Sequence, residues 1–506
     1  MAPLVAGYLL MVALAVMVGF WVSAGSLRML FLLAAAAVVG LVVVGMQKRV
    51  WMLIVFGWLF TGQILLLPLP FAVRDLMVML AFCGYAIHRA VSHRGVRAGW
   101  NVIDVVLAVH LVYLYFGLLL HPVGFHVLGA GTVGARPYLN VTLAVMGYWV
   151  VVHLPDSVKA VSRIPLYMLA AATVLGAMQG LMRIFPSVIP YFYALYSELD
   201  VSAYFTSVLG TAAPEYSRFI GVSTFGQYMI LVLCSYYPPE TLFNPLRGRF
   251  YAAVIGGASI LSSGFRTNLA WAMASVGIGS WLRRSWRELA VSAVAGAMLL
   301  GALSFGQGRL YELPLSMQRA MCWLPGQWNP DVIADAEGSS QFRFQLWRNI
   351  IAWRLINDWW FGDGFGANVG EIVKLSRSTS DVEEHTLAAG NYHSGPLTTI
   401  HWVGIIGLIL LYILSITAAI CGYKTVQRCR GTPLHAVAVF LAIQFIWGPI
   451  TYALVFGSYD VFLPDLIFQL GLLRLLMRFC DQGFVVPSTA TSAPRAAVPV
   501  MAGAQA

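Results

Sequence analysis

The amino-acid sequence predicts an all-α, polytopic integral membrane protein with about 12 to 14 transmembrane helices. Of its 506 residues, 59% are hydrophobic and only 10% are charged, whereas soluble domains carry about 25% charged residues. Apolar runs of about eighteen residues or more recur from end to end, and each could cross a bilayer. The formal net charge of +10 matches the excess of Lys and Arg in cytoplasmic loops, so membrane lipids and not nucleic acid are the expected surroundings.

The apolar runs give fourteen candidate spans, numbered here by residue: 4–22, 29–46, 50–67, 71–88, 102–120, 138–154, 166–184, 219–237, 250–264, 266–282, 289–306, 397–420, 433–456 and 461–480. With the N-terminus inside, seventeen Lys and Arg residues fall in inward loops and ends, and six fall in short outward loops. Because Lys and Arg collect on the cytoplasmic side, both termini are expected there. The first run lacks the basic flank of a signal peptide and is expected to be an uncleaved helix.

The spans divide the chain into six segments: N-terminal transmembrane helices (1–184), an aromatic outer loop (185–218), helices with a turn at Arg266 (219–306), a long outer loop (307–396), C-terminal helices (397–480) and a tail (481–506). The 307–396 loop is too long to be a passive connector, and we expect it to pack over the outer face of the bundle. The tail is rich in Pro and Ala and is expected to be disordered.

Arginines mark the outer ends of several spans. Five lie where a helix enters the membrane from outside: Arg28, Arg74, Arg136, Arg218 and Arg266. The free N–H groups and the dipole of a helix N-terminus favour an anion, which such an arginine would also attract. The alternative is that these side chains reach lipid phosphates. Arg266 is the strongest candidate for ligand contact, because the small residues of "SSGFRTN" let an anion approach the backbone.

The stretch "SSQFRFQLWRNIIAWRLIND" in the long loop predicts an amphipathic helix capped by Ser339 or Ser340. One face of this helix would carry Arg343, Trp347, Ile350 and Arg354. Such a face, apolar in the middle and basic at both ends, suits either a helix lying on the membrane surface or a helix docked on neighbouring loops.

The stretch "NYHSGPLTTIHWVGIIG" places His393 at the border between the long loop and the next apolar run. An imidazole titrates near neutrality and can accept a proton from a hydroxyl group. A single histidine at such a border can also be an ordinary interfacial side chain, so this position alone leaves both interpretations open. The six cysteines show no spacing typical of a metal site, and no metal is expected.

Three motifs resemble the O-antigen ligases and related O-antigen polymerases of bacterial envelopes. The ligase signature is His, then Asn, Ser or Gln, then nine residues, Gly, two residues and Gly; here His393-Ser394 is followed at that spacing by Gly404 and Gly407. The "SSGFRTN" turn is similar to the family's Ser/Arg turn. The Arg343-x-x-x-Trp347 helix followed by "FGDGFG" is similar to the family's Arg-x-x-x-Trp helix and glycine turn.

The resemblance implies a fold like that of the C-type membrane glycosyltransferases, a long loop on the periplasmic side of the bacterial inner membrane, and a metal-independent, cofactor-free reaction. The donor would be a glycan on undecaprenyl pyrophosphate, and the acceptor a hydroxyl of the lipid A core or of a second lipid-linked glycan. His393 would be the catalytic base. The pyrophosphate would be bound by Arg266 and Arg343, with Arg136 and Arg218 behind them, and supporting residues would be Ser394, Gly404, Gly407 and Trp347.

Three functions stay open at this point. The His-Ser motif favours a ligase, which transfers a glycan to the lipid A core in lipopolysaccharide synthesis. The number of candidate spans exceeds the twelve usual for ligases, which favours a polymerase that extends lipid-linked repeat units. A non-enzymatic flippase is less favoured, because carriers place charged groups at mid-membrane depth, whereas Asp75, Asp104 and Asp465 all lie near the ends of spans.

Overall fold

A computed structural model describes residues 40–43, 45–65, 71–92, 99–123, 134–154, 157–198, 219–284, 286–352, 355–366, 392–455 and 457–482. This part of the chain is helical, and its strand-like pairing is limited to two isolated bridges. In chain order its helices are α1 (Trp51–Gly57), α2 (Val73–Ser92), α3 (Val102–Leu120), α4 (Arg136–His153), α5 (Val158–Val161), α6 (Ile164–Ile184), α7 (Ile189–Leu195), α8 (Ile220–Tyr236), α9 (Gly248–Ser262), α10 (Arg266–Leu282), α11 (Trp286–Gly306), α12 (Leu315–Met321), α13 (Pro330–Ala352), α14 (Gly395–Arg428), α15 (His435–Leu454) and α16 (Tyr459–Asp481).

Within the described residues, five helical segments are long and apolar enough to cross a membrane: Val102–Leu120, Val158–Ile184, Leu289–Gly306, Gly395–Arg428 and His435–Leu454. They agree with the prediction of an all-helical protein embedded in a membrane. The predicted spans 4–22 and most of 29–46 lie outside the described residues, and so does nearly all of the 481–506 tail.

The prediction of one helix over 50–67 is wrong, because α1 ends at Gly57. The chain beyond it folds back onto the start of α2, where the N–H groups of Val73 and Arg74 donate to the carbonyls of Gly62 (2.9 Å) and Phe60 (2.8 Å). These N–H groups belong to the first turn of a helix, which has no partner for them within the helix. The returning segment therefore satisfies donors that a continuous span would leave open.

In the 307–396 loop, the start of the predicted amphipathic helix differs from the prediction, and the packing of one of its faces agrees with it. The helix expected to begin at Ser339 or Ser340 begins nine residues earlier at Pro330, so neither serine is its cap. Asn329 precedes it, and its side chain accepts the N–H of Asp331 at 2.9 Å. The face with Trp347 and Ile350 packs against a cluster that includes Tyr392 and Ile400, so the docked interpretation is confirmed for this face.

Helix α16 lies in the centre of the bundle, packed against α4, α14 and α15. It is buried on almost every side, from Tyr459 to Phe479. At one end Arg474 pairs with Asp104 of α3 at 2.8 Å. The opposite end is where α10 and α14 begin and where the connection from α15 to α16 runs, and the candidate site is built there.

Candidate anion-binding and catalytic site

Three arginines from three different helices form what we call the arginine group: Arg266, Arg319 and Arg343. Each guanidinium donates to a backbone carbonyl: Arg266 to Ala336 (2.9 Å), Arg319 to Gly264 (2.9 Å) and Arg343 to Val455 (3.1 Å). These bonds fix the long side chains against α13, against the turn before α10 and against the end of α15. The three hydrogen bonds therefore hold the cationic side chains of the arginine group in defined positions.

The charges of the arginine group are poorly balanced. Burial, together with the neighbouring charges of Arg266 and Arg319, lowers the pKa of Arg343, as repulsion between like charges requires. Among the described residues, the one ion pair that any of the three makes is that of Arg319 with Asp335. Three positive charges and one negative charge leave an excess of two, which an anion with several oxygens would offset.

His393 lies beside the same helix that carries Arg343. Its ring is 6.5 Å from that of Phe342, measured between centroids in an edge-on arrangement, and Trp347 Nε1 donates to the carbonyl of the preceding residue, Tyr392, at 2.9 Å. The backbone of His393 has φ of +50°, a conformation that is uncommon outside glycine. Such strain costs about 1–3 kcal/mol and concentrates at functional sites.

Ser394 has a structural role next to this histidine. It is the N-cap of α14, and its hydroxyl accepts the N–H of Leu397 at 3.5 Å. Serine is a preferred cap because its oxygen satisfies a free donor of the first helical turn. The His-Ser pair therefore places the imidazole just outside the start of a helix and fixes where that helix begins.

Helix α13 joins the arginines and the histidine into one site. Arg266 reaches the carbonyl of Ala336, and Phe342 contacts His393 six residues later on the same helix. Six residues of α-helix advance about 9 Å. The segment of α13 that Arg266 binds and the segment that contacts His393 are thus separated by about the length of a small substrate group.

Gly404 of α14 and Gly362 of the glycine turn (residues 361–366) bring these two segments into contact. Gly404 has φ of +70° inside α14 and breaks the helix, and the N–H of the next residue, Ile405, donates to the carbonyl of Trp359 at 2.8 Å. A Cβ added at Gly404 would lie 2.0 Å from the carbonyl oxygen of Trp360, and one at Gly362 would lie 2.5 Å from the backbone nitrogen of Val403. The two motifs thus interlock through their backbones.

Gly407 lets side chains approach the backbone of α14 at a different point. A Cβ added there would lie 2.4 Å from Val403 Cγ2 on the same helix and 3.2 Å from the ring of Tyr113 on α3, and the Tyr113 hydroxyl donates to the carbonyl of Val403 at 2.7 Å. The two glycines of the signature therefore serve separate contacts: Gly404 opens the helix to the glycine turn, and Gly407 leaves room for the Val403 side chain and for the Tyr113 ring of α3.

Replacing Gly404 by alanine should destabilise the protein by about 3 kcal/mol, combining left-handed strain with the loss of hydrogen bonds to the glycine turn. Thermal unfolding in detergent would measure this. Gly180→Ala is the matched control, because an added Cβ meets nothing within 4 Å there, and its stability should be unchanged or slightly higher. Equal unfolding temperatures for both variants would show that the turn does not depend on Gly404.

Asp363 stabilises the glycine turn and was not anticipated from the sequence. Its carboxylate accepts the N–H groups of Asn357 and Asp358, both at 2.9 Å, and lies 3.4 Å from His401 Nδ1. Burial raises the pKa of Asp363, but the nearby imidazole of His401 and the hydrogen bonds from the two N–H groups lower it by more, so that it lies below its ordinary value.

A lowered pKa means that this carboxylate stabilises the folded state above its unfolded pKa of about 4, and that the stabilisation is lost as the pH falls through the folded value. We therefore expect Asp363→Asn to unfold at a lower temperature than the wild type at pH 7, with the difference closing below about pH 4. Asp481→Asn is the control, because its exposed pair with Arg428 should contribute little at any pH. A wild-type to Asp363→Asn difference that is independent of pH would contradict this role.

Not every arginine expected at the site is there. Arg136 is buried and pairs with Asp75 at 2.5 Å, so it already has a carboxylate as its partner, and we omit it from the anion site. Arg74 lies 3.7 Å from the same carboxylate and 3.8 Å from Asp465. Arg28, Arg218 and Arg354 lie outside the described residues.

Arg319 is the member that sequence reasoning missed. It lies in "LSMQRAMCW", a stretch without the span boundary or helical pattern that marked the other arginines. Its side chain is only 4% exposed, and its partner Asp335 is sixteen residues away in the sequence. The signal that could have indicated it is a lone arginine among apolar residues, since such a side chain is buried only when paired.

No protein-family model matches this chain, and no curated protein matches it. The functional assignment therefore depends on the residues and their geometry.

Proposed function

We propose that this protein is a membrane glycosyltransferase of the O-antigen ligase type. It would move a glycan from undecaprenyl pyrophosphate to an acceptor hydroxyl on the periplasmic side of the bacterial inner membrane. The observation that carries the proposal is the arginine group, with its excess of positive charge, one member of which, Arg343, lies on the helix that contacts His393.

The reaction follows from the chemistry of the two parts. The acceptor oxygen attacks the anomeric carbon, the bond from that carbon to the pyrophosphate oxygen breaks, and the hydroxyl proton passes to His393. The leaving pyrophosphate gains negative charge, which the guanidinium groups of Arg266, Arg319 and Arg343 would stabilise. Donors that are already in place stabilise such a charge without reorganisation.

An apolar cavity supports a lipid-linked donor. It has a volume of about 630 Å³ and lies between α8, α9, α10 and α11, with Leu269, Met273 and Val276 of α10 in its wall. Arg266 begins this same helix. We assign the cavity to the undecaprenyl chain, because it would continue from a pyrophosphate held at Arg266 into an apolar wall of the same helix.

The proposal is tested by reconstituting the purified protein with a glycan on undecaprenyl pyrophosphate and offering two acceptors separately. Transfer to the lipid A core supports a ligase. Lengthening of a second lipid-linked glycan instead supports a polymerase, which would use the same donor site with another acceptor. Transfer to neither acceptor contradicts the proposal.

A further inference from the structure

A second cavity, called the polar cavity because Gln444, Asp460, Asp465 and Gln469 are among the residues that line it, lies on the other side of α10 from the apolar one. Its volume is about 340 Å³, and it is bounded by α10, α15 and α16. A smaller cavity of about 180 Å³ shares Asp465 and Gln469 with it. Both cavities thus present polar side chains between helices that are otherwise apolar, where such side chains commonly mark a path or a binding site for a polar substrate.

The wall of the larger cavity is attached to the proposed site at three points. Tyr452 lines the cavity, and its hydroxyl donates to the carbonyl of Gly395 at 2.9 Å, two residues after His393. Arg343 donates to the carbonyl of Val455, between Tyr452 and the lining residue Ser458. Trp271 also lines the cavity and lies five residues beyond Arg266 on α10.

The lining groups suit a carbohydrate. Gln469 Nε2 donates to Gln444 Oε1 at 3.4 Å, which leaves one oxygen and further N–H groups of these two amides for a ligand. Trp271 supplies a flat apolar ring beside them. Amide and carboxylate groups next to an aromatic face match the hydroxyl groups and the C–H face of a sugar ring, and the volume is in the range of about 300–1,000 Å³ typical of small-ligand sites.

Asp465 faces this space although protein surrounds it. Its side chain is 41% accessible, it lines both cavities, and Trp58 Nε1 donates to one of its oxygens at 2.9 Å. The accessible surface of this carboxylate therefore belongs to the cavities, where it can accept hydrogen bonds from hydroxyl groups.

The charge of the surroundings restricts which sugar can bind. Asp460 lines the larger cavity and Glu198 the smaller one, in addition to Asp465. Arg74 lies within 4 Å of Asp465 but shares its charge with Asp75, which also pairs with Arg136. Carboxylates thus outnumber the arginines around the cavities, and a further carboxylate on the ligand would be repelled.

We propose that the polar cavity binds the sugar next to the pyrophosphate of the lipid-linked substrate, and that this sugar carries no carboxylate. The inference rests on the proposed function, because it extends the substrate from the arginine group into the cavity. Helix α10 would then separate the two halves of one amphiphilic substrate, with the hydrocarbon chain on one side and the sugar on the other.

Binding of three lipids to the purified protein in nanodiscs tests this: bare undecaprenyl pyrophosphate, the same lipid with a neutral trisaccharide, and the same lipid with a uronic acid as the first sugar. The wild type should bind the neutral glycolipid about tenfold more tightly than the bare lipid, and the uronic acid lipid should show no such gain. Gln469→Met and Trp271→Leu should each remove the gain in affinity for the neutral glycolipid. Both variants should bind the bare lipid as the wild type does, and this binding also shows that the variants are folded.

Gln427→Met and Trp149→Leu are matched controls that line neither cavity, and both should keep the gain. Equal binding of the three lipids by the wild type, or a gain that survives both cavity variants, would overturn the assignment of the cavity. Tighter binding of the uronic acid lipid would overturn the sugar class. If the wild type did not bind bare undecaprenyl pyrophosphate, the pyrophosphate site and with it the proposed function would be contradicted. This outcome differs from failure of the cavity assignment, in which the bare lipid still binds.

Discussion

Replacing His393 by alanine should reduce the rate of glycan transfer by about 10²- to 10⁴-fold, the usual contribution of a general base. Binding of the lipid-linked donor should change little, because the pyrophosphate contacts assigned to the arginine group are untouched. Single-turnover transfer at saturating donor, measured beside donor binding, separates the chemical step from affinity.

Two variants make this result specific. His88→Ala removes a histidine of α2 outside the site and should transfer at the wild-type rate. Ser394→Ala removes the N-cap of α14 and should lower stability by about 1 kcal/mol with a much smaller loss of rate than His393→Ala. An undiminished rate in His393→Ala would make this residue an ordinary interfacial side chain, and the acid–base part of the proposal would fall.

Much of the fold could be predicted from the sequence, because burial in a membrane leaves a simple signal. Runs such as 102–120 and 433–456 are apolar on every face, and a backbone in lipid must satisfy its hydrogen bonds internally. The run over 50–67 is equally apolar, yet α1 ends at Gly57, since the following residues bond to the start of α2. Hydropathy indicates whether a segment is buried among apolar groups. It does not indicate which backbone N–H groups of other segments the segment must accept hydrogen bonds from.

The site could be predicted where a residue type has a local reason for its place. His393 and Ser394 lie at a helix start that depends on neighbours in the sequence, and Gly404 lies at a helix break that only a glycine readily allows. Arg319 and Asp363 could not be found in this way, because the groups that make them informative come from distant segments: Gly264 for Arg319 and His401 for Asp363. The partner of Arg136 could not be predicted for the same reason, since Asp75 lies 61 positions earlier in the chain.

Replacing Arg343 by glutamine should reduce transfer by about 10²- to 10³-fold, the loss typical of removing one donor to a developing negative charge. In the wild type, burial and repulsion by Arg266 and Arg319 lower the pKa of the Arg343 guanidinium. The substitution removes both of these unfavourable effects. The ligand-free protein should therefore be no less stable than the wild type beyond the one hydrogen bond to Val455. Thermal unfolding with and without undecaprenyl pyrophosphate measures both effects, because a bound ligand stabilises in proportion to its affinity.

Arg348→Gln is the matched control, since it removes the same charge from the same helix at an exposed position. It should leave both the transfer rate and the stabilisation by undecaprenyl pyrophosphate unchanged. Arg343→Lys should recover part of the affinity, because it restores the charge without the two-pronged guanidinium. If Arg343→Gln were destabilised to the same extent with and without the lipid and still transferred glycan, the arginine group would only hold α13 against α15. The imbalance of charge would then have to be explained without an anion.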